Sequence, residues 1–154
     1  MKDTNIKNNE EIKCVERFLS SYISNKKFSV IKNPIEDEVD VFVKFKDKED
    51  LKIQITVADY ARVGVFKAQI SKRNGIVSSI RDRHDMGPVL RALAIKTEKY
   101  KKQNKDMSDI FLLVDDQMGD FPENATENID WSSYGKFFKE VWYVGRTKCI
   151  YKIL

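Results

Sequence analysis

The sequence has little of what most metal and cofactor chemistries require. One histidine and two cysteines occur in 154 residues. The histidine sits in Arg81-Asp82-Arg83-His84-Asp85, a charged loop pattern that gives a Ser/His/Asp triad no support. Cys14 and Cys149 lie far apart, without CxxC or Cys/His spacing, so a zinc site is unsupported and two free thiols of a reducing cytoplasm are expected. Both fall in apolar periodic segments, where a buried core thiol is the default. The longest strictly apolar run, Ile110 to Val114, is far short of the roughly 20 residues that span a bilayer. The first residues hold no apolar stretch of the kind that marks secretion. No G-x-x-x-x-G-K-[ST] or G-x-G-x-x-G occurs, which leaves a P-loop or Rossmann site without sequence support. Internal repeats, low-complexity tracts and interdomain linkers are missing too, and the length predicts one domain over residues 1–154.

What is present is a globular composition with uneven charge. Hydrophobic residues make up 42% and charged residues 34%, too apolar for disorder. The net charge of +4 conceals two opposed regions. Arg62 to Lys105 carries 12 basic and 3 acidic residues, a local balance of +9, while the remainder of the chain balances at −5. Asp115 to Asp130 holds six acids and no base. A central basic block suits a polyphosphate partner, because each neutralised phosphate releases counterions. A solvated helix with its flanking loop would carry the same charges.

Hydrophobic periodicity organises the chain into alternating helices and strands. Ile12, Val15, Leu19, Tyr22 and Ile23 recur at helical spacing between about Asn9 and Asn25, with Phe18 at the margin and Asn8 or Asn9 as the cap. Glu10 and Glu11 would then occupy the first turn, where the helix dipole favours acids. Lys27 to Lys32 predicts a short strand. Val39 to Phe45 and Leu51 to Val57 alternate with strand periodicity around the polar turn Lys46–Asp50. Ala58 to Gly75 is ambiguous, and Ser71 to Pro88 reads as a basic loop. A second long helix is expected from about Asp85 to Gln103, with Met86, Leu90, Leu93, Ala94, Thr97 and Tyr100 on one face. Asp109 to Asp115 has the composition of a fully buried strand. Asp116 to Asp130 is an acidic loop long enough to suspect mobility, Trp131 to Phe138 a short helix, and Val141 to Val144 and Cys149 to Ile153 the last strands. This order predicts an α/β domain with a mixed central sheet flanked by helices.

Two neighbouring strands present polar side chains. Asp40 opens the first, opposite in phase to Val39, Val41 and Val43, and Gln54 and Thr56 share a face of the second. A hairpin around Lys46–Asp50 would bring Asp40 and Gln54 together. With a carboxylate from the first helix, Glu11 or Glu16, they form an oxygen set suited to a hard cation such as Mg²⁺. Glu11 projects nearer the apolar centre of its helix than Glu16 and is the stronger candidate. A solvent-facing hairpin would show the same alternation.

This arrangement resembles the PD-(D/E)XK nuclease superfamily, the restriction-endonuclease-like fold. That family places a Glu on its first helix, an Asp on one strand and (D/E)-x-K on the next, followed by a second helix and further strands. The likeness in layout covers about Asn9 to Leu154. Asp40 matches the motif Asp, Gln54 stands at the acidic position, and Thr56 stands where the family has Lys. The resemblance implies phosphodiester hydrolysis of DNA or RNA with Mg²⁺ or Mn²⁺. Asp40, Gln54 and Glu11 or Glu16 would bind metal, and Thr56 would orient water. A threonine brings no positive charge, so Lys96 on the second helix or Lys52 beside Gln54 would supply it, with Lys67 a third candidate. Arg62, Lys67, Lys72, Arg73, Arg81 and Arg83 would engage the nucleic-acid backbone. The family also leaves a homodimer open. Loss of the motif Lys and of one carboxylate equally fits a non-catalytic nucleic-acid-binding or protein-interaction module of the same fold.

Overall fold

The computed structural model describes residues 2–23, 28–32, 39–46, 49–58, 87–126, 129, 131 and 137–154. Among them, helix α1 (Lys2–Tyr22) precedes strands β1 (Phe28–Lys32), β2 (Val41–Phe45) and β3 (Leu51–Val57). Helix α2 (Gly87–Lys102), strand β4 (Ile110–Asp115), a short 3₁₀ turn (Glu123–Thr126) and strands β5 (Glu140–Val144) and β6 (Ile150–Lys152) complete the order. The six strands form one mixed sheet in chain order. β1, β2 and β3 run as an antiparallel meander, β3, β4 and β5 are mutually parallel, and β6 returns antiparallel to β5. No helix among the described residues is long and apolar enough to cross a membrane.

Alternation along the strands divides the core into two layers. Ile53 and Ile55 of β3, Phe111 and Leu113 of β4, and Val41 and Val43 of β2 meet α1 through Cys14, Val15, Phe18 and Leu19. On the opposite face, Ile110, Leu112 and Val114 of β4 and Val141 and Tyr143 of β5 meet α2 through Val89, Ala92, Leu93 and Tyr100. β4 is buried along its whole length because both helices cover it, which is why its sequence is continuously apolar rather than alternating.

The helices depart from their sequence reading in frame and extent. α1 begins at Lys2, so Asn8 and Asn9 are not caps and Glu10 and Glu11 lie in the helix interior. Its buried stripe centres on Phe18, which the periodicity had placed at the margin. Phe18 stacks on Tyr22 at 5.0 Å and meets Trp142 at 5.1 Å, while Tyr22 meets Phe111 at 5.7 Å. These rings fix α1 against β4 and β5. α2 is likewise rotated: Val89, Ala92, Leu93, Thr97 and Tyr100 are buried, whereas Leu90 and Ala94 are only partly so. A Schellman closure ends α2, with Asn104 at φ 53° and the N–H groups of Asn104 and Lys105 donating to Lys101 O and Tyr100 O at 3.1 Å each.

The acidic stretch after β4 is tied down at its start, contrary to the mobility expected of a long acidic loop. Asp116 is buried, accepts the Tyr143 hydroxyl at 2.7 Å and accepts Met118 N–H at 3.0 Å. Asp120 accepts N–H groups of Thr147, Lys148 and Cys149 in the β5–β6 connection. The helix expected over Trp131 to Phe138 falls mostly outside the described residues, as do the excursion after Ala58 and the basic loop before Gly87.

Candidate active site

The site arises from a mismatch in strand length. Val41 of β2 pairs with Ile53, so β3 runs on from Gln54 to Val57 with β4 on one side and no β2 residue on the other. Asp40 closes the start of this notch. Its N–H donates to Ile53 O at 2.9 Å, and its Oδ2 accepts Ile55 N–H at 2.9 Å, replacing the missing ladder bond. The chain bends here, which corrects the expectation that Val39 shares a face with Val41 and Val43. Val39 joins the α2 layer, while Val41 and Val43 belong to the α1 layer. Asp40 Oδ1 has no partner among the described residues.

Where the sheet is notched, side chains from both faces reach a common space. A cleft of about 400 Å³ lies there. Glu10 and Glu11 line it from α1, Asp40 and residues 54–57 from the sheet, Lys96 from α2, and Asp115 and Gln117 from the end of β4. The rotated helix frames explain how the helical residues arrive. Glu11 continues the stripe Val15, Phe18, Tyr22 at helical steps, and Lys96 lies within the stripe of Val89, Leu93 and Tyr100. Glu11 is 7% exposed and Lys96 Nζ stands 5.9 Å from the Tyr100 ring centre. Gln54 and Thr56, opposite in phase to Ile53 and Ile55, are buried on the α2 side. Gln54 is 3% exposed, yet its Oε1 has no hydrogen-bond partner among the described residues. Such an atom forgoes its hydration without compensation unless a ligand or water supplies a donor or cation.

Asp115, which the sequence places at the end of the buried strand without a role in the site, forms the far wall. It is nearly fully buried, and Arg17 Nη2 donates to its Oδ1 at 2.8 Å while Gln117 Nε2 donates to Oδ2 at 3.0 Å. Burial pushes its carboxyl above the usual range, against the opposing pull of Gln117 and the Arg17 guanidinium. The available signal was its place at the end of a buried parallel strand, where open α/β sheets expose side chains to ligands.

The cleft thus gathers Glu11, Asp40, Gln54, Thr56 and Lys96. Two other candidates stand apart. Lys52 sits at the opposite end of β3, where Nζ pairs with Asp109 Oδ2 at 3.0 Å, and Glu16 is exposed on α1 away from the cleft lining. Arg62, Lys67, Lys72, Arg73, Arg81 and Arg83 lie outside the described residues. The ligand candidates for a cation are oxygen donors only: carboxylates of Asp40 and Glu11 and the orphaned Gln54 Oε1. That chemistry fits a hard divalent ion, although no three His, Cys, Asp or Glu side chains among the described residues gather as a metal site. No protein-family model, curated protein or solved structure matches this chain.

Proposed function

We propose that the cleft is the active site of a metal-dependent phosphodiesterase of restriction-endonuclease-like type, acting on nucleic acid. The observation carrying this reading is the meeting of Glu11, Asp40, Gln54, Thr56 and Lys96 in one cleft. These residues come from two helices, strand β3 and the bend just before β2, and a solvent-facing hairpin would not assemble them. The order of helix, three-stranded meander, helix and parallel strand agrees with the family layout.

A divalent cation would polarise the phosphoryl group and make a bound water more acidic. Asp40 Oδ1, a Glu11 carboxylate oxygen and Gln54 Oε1 are the atoms to hold it, since Asp40 Oδ2 is committed to Ile55 N–H. Thr56 lies two residues beyond Gln54 on the same face, where its hydroxyl would orient the attacking water by hydrogen bonding. Lys96 brings the positive charge that Thr56 lacks, opposing the negative charge that develops on the phosphoryl oxygens. The position is as important as the sign. A lysine in a partly dry cleft acts through a lower dielectric than one on the surface.

The test uses Asp40→Asn, whose amide oxygen still accepts Ile55 N–H while the charge is removed. Calorimetric Mg²⁺ and Mn²⁺ binding by wild type, lost in Asp40→Asn, supports the reading. Cation-dependent cleavage lost in Asp40→Asn and at least tenfold reduced in Lys96→Gln completes it. Equal cleavage by Asp40→Asn and wild type would sink the site. One feature favours a second reading, a binding module that does not cleave: positions 54 and 56 lack both the acid and the lysine of the motif. Oligonucleotide binding without cation binding or cleavage would establish that module.

A further inference from the structure

The notch that forms the cleft also leaves main-chain groups of β3 without a strand partner. In an extended strand a residue's N–H and C=O point to the same side, and the side alternates from one residue to the next. Two bonds fix the phase here. Ile55 N–H reaches Asp40 Oδ2 at 2.9 Å on the β2 side, and Ala58 N–H reaches Asp115 O at 3.0 Å on the β4 side. Ile55 C=O and Val57 N–H therefore point away from β4, into the space that β2 would fill if it ran on. Neither has a hydrogen-bond partner among the described residues. Both residues line the cleft, and Val57 is 40% exposed.

An acceptor and a donor two residues apart on one side of a strand are what a single residue of a parallel neighbour bridges with its own N–H and C=O. A ligand that presents a donor beside an acceptor can take that residue's place. The Watson–Crick edge of every nucleobase does so: adenine N6–H beside N1, cytosine N4–H beside N3, guanine N1–H beside O6, and thymine or uracil N3–H beside O4. Peptide strand addition uses a run of such pairs. Among the described residues the open edge holds one pair, and Asp40 closes it at Ile55 N–H. The edge opens into the cleft that Asp40, Gln54 and Lys96 also line, which places a base-sized contact beside the groups suited to a phosphate.

We propose that this edge of β3 binds the Watson–Crick edge of an unpaired nucleobase, with Ile55 C=O accepting from the base and Val57 N–H donating to it. The proposal takes its nucleic-acid ligand from the phosphodiesterase reading, and it does not depend on catalysis. In a duplex the same base atoms are already paired, so the contact selects single strands. Every base offers such a pair of atoms, so main-chain recognition here reads strandedness and not sequence.

The test measures anisotropy of fluorescein-labelled oligonucleotides with the full chain, without divalent cation. The ligands are a short oligothymidylate, the same strand with every base N3-methylated, and the unmodified strand annealed to its complement. Methylation removes the donor that Ile55 C=O requires and leaves the phosphates as they were. Wild type is expected to bind the unmodified single strand about tenfold more tightly than either other ligand. Val57→Pro deletes the N–H without deleting a sheet bond and should reduce that preference, whereas Val57→Ala keeps the N–H and should retain it. Circular dichroism checks the fold of both variants, and the wild-type comparison decides alone if Val57→Pro does not fold. Equal affinity of wild type for the methylated and unmodified strands overturns the proposal. Failure to bind either strand also overturns it and leaves the edge to an extended peptide. Cleavage assays separate this outcome from the site assignment. Asp40-dependent cleavage of both strands at one rate removes the base contact and leaves the active site. The binding preference without cation-dependent cleavage does the reverse.

Discussion

Asp120 illustrates how one carboxylate can organise a turn. Partial burial alone would raise its pKa, but hydrogen bonds from the Thr147 hydroxyl and from Cys149, Lys148 and Thr147 N–H outweigh it and hold the carboxyl at about 2. Gly145 is required beside it. A Cβ there would collide with Asp120 Oδ1 and stand 2.8 Å from Cys149 O. Because the folded pKa of Asp120 lies below the ordinary 3.8, its stabilising contribution is complete above about pH 4 and is lost as pH falls through about 2. The difference in unfolding free energy between wild type and Asp120→Asn should therefore be constant from neutrality to about pH 4 and shrink below it. Denaturant titrations at several pH values check this. A difference that persists unchanged to pH 2 would remove the carboxylate from this role.

At the level of elements, small changes of helix frame decide what reaches the cleft. Moving the buried stripe of α1 onto Phe18 places Glu11 inward and leaves Glu16 exposed. The equivalent rotation of α2 brings Lys96 under the helix instead of beside it. Where α2 ends matters as well, because Asn104 holds a left-handed conformation that crowds any Cβ and that asparagine tolerates better than alanine through local hydrogen bonding of its short polar side chain. Asn104→Ala should lower stability by about 1 kcal/mol, and Asn104→Gly should match or exceed wild type. Urea midpoints of the two variants make the comparison. Equal loss in both would show that the asparagine side chain, rather than its backbone geometry, is what the helix end needs.

For the molecule as a whole, Arg17 joins parts that the sheet alone does not. Its guanidinium binds Asp115 Oδ1 at the end of β4 and Gly145 O after β5, at 2.8 and 3.1 Å. Arg17 thereby locks α1 to the strand ends that form the cleft wall. Removing the arginine strands a buried carboxylate, so Arg17→Met should cost about 3 kcal/mol. Asp115→Asn in the same background should recover part of that loss, because the unpaired charge is gone. A double-mutant cycle with no coupling between the two positions would refute the contact as the anchor of α1.

Much of this architecture is legible in the sequence because local physics writes it there. Alternation located β3 at Leu51–Val57 and the buried run located β4, and the 3.6-residue repeat located both long helices. The alternation also placed Gln54 and Thr56 on one face, and the hairpin spacing brought Asp40 beside them. Helix frame was less legible, since several apolar residues compete for the stripe and only the partner surface selects among them. Phe18 wins its central place through Trp142 and Phe111, which are more than 90 residues away in the chain.

The sequence by itself determined the element order, the α/β character and the residue types available for oxygen ligation and positive charge. Tertiary structure alone decided that β3 outruns β2, that Asp40 commits one oxygen to Ile55 N–H, and that Lys96 reaches the cleft while Lys52 pairs with Asp109. It also recruited Asp115 to the cleft wall. The reason is physical: periodicity is a property of neighbours in the chain, whereas strand register, helix rotation and ion pairing depend on surfaces supplied by distant residues.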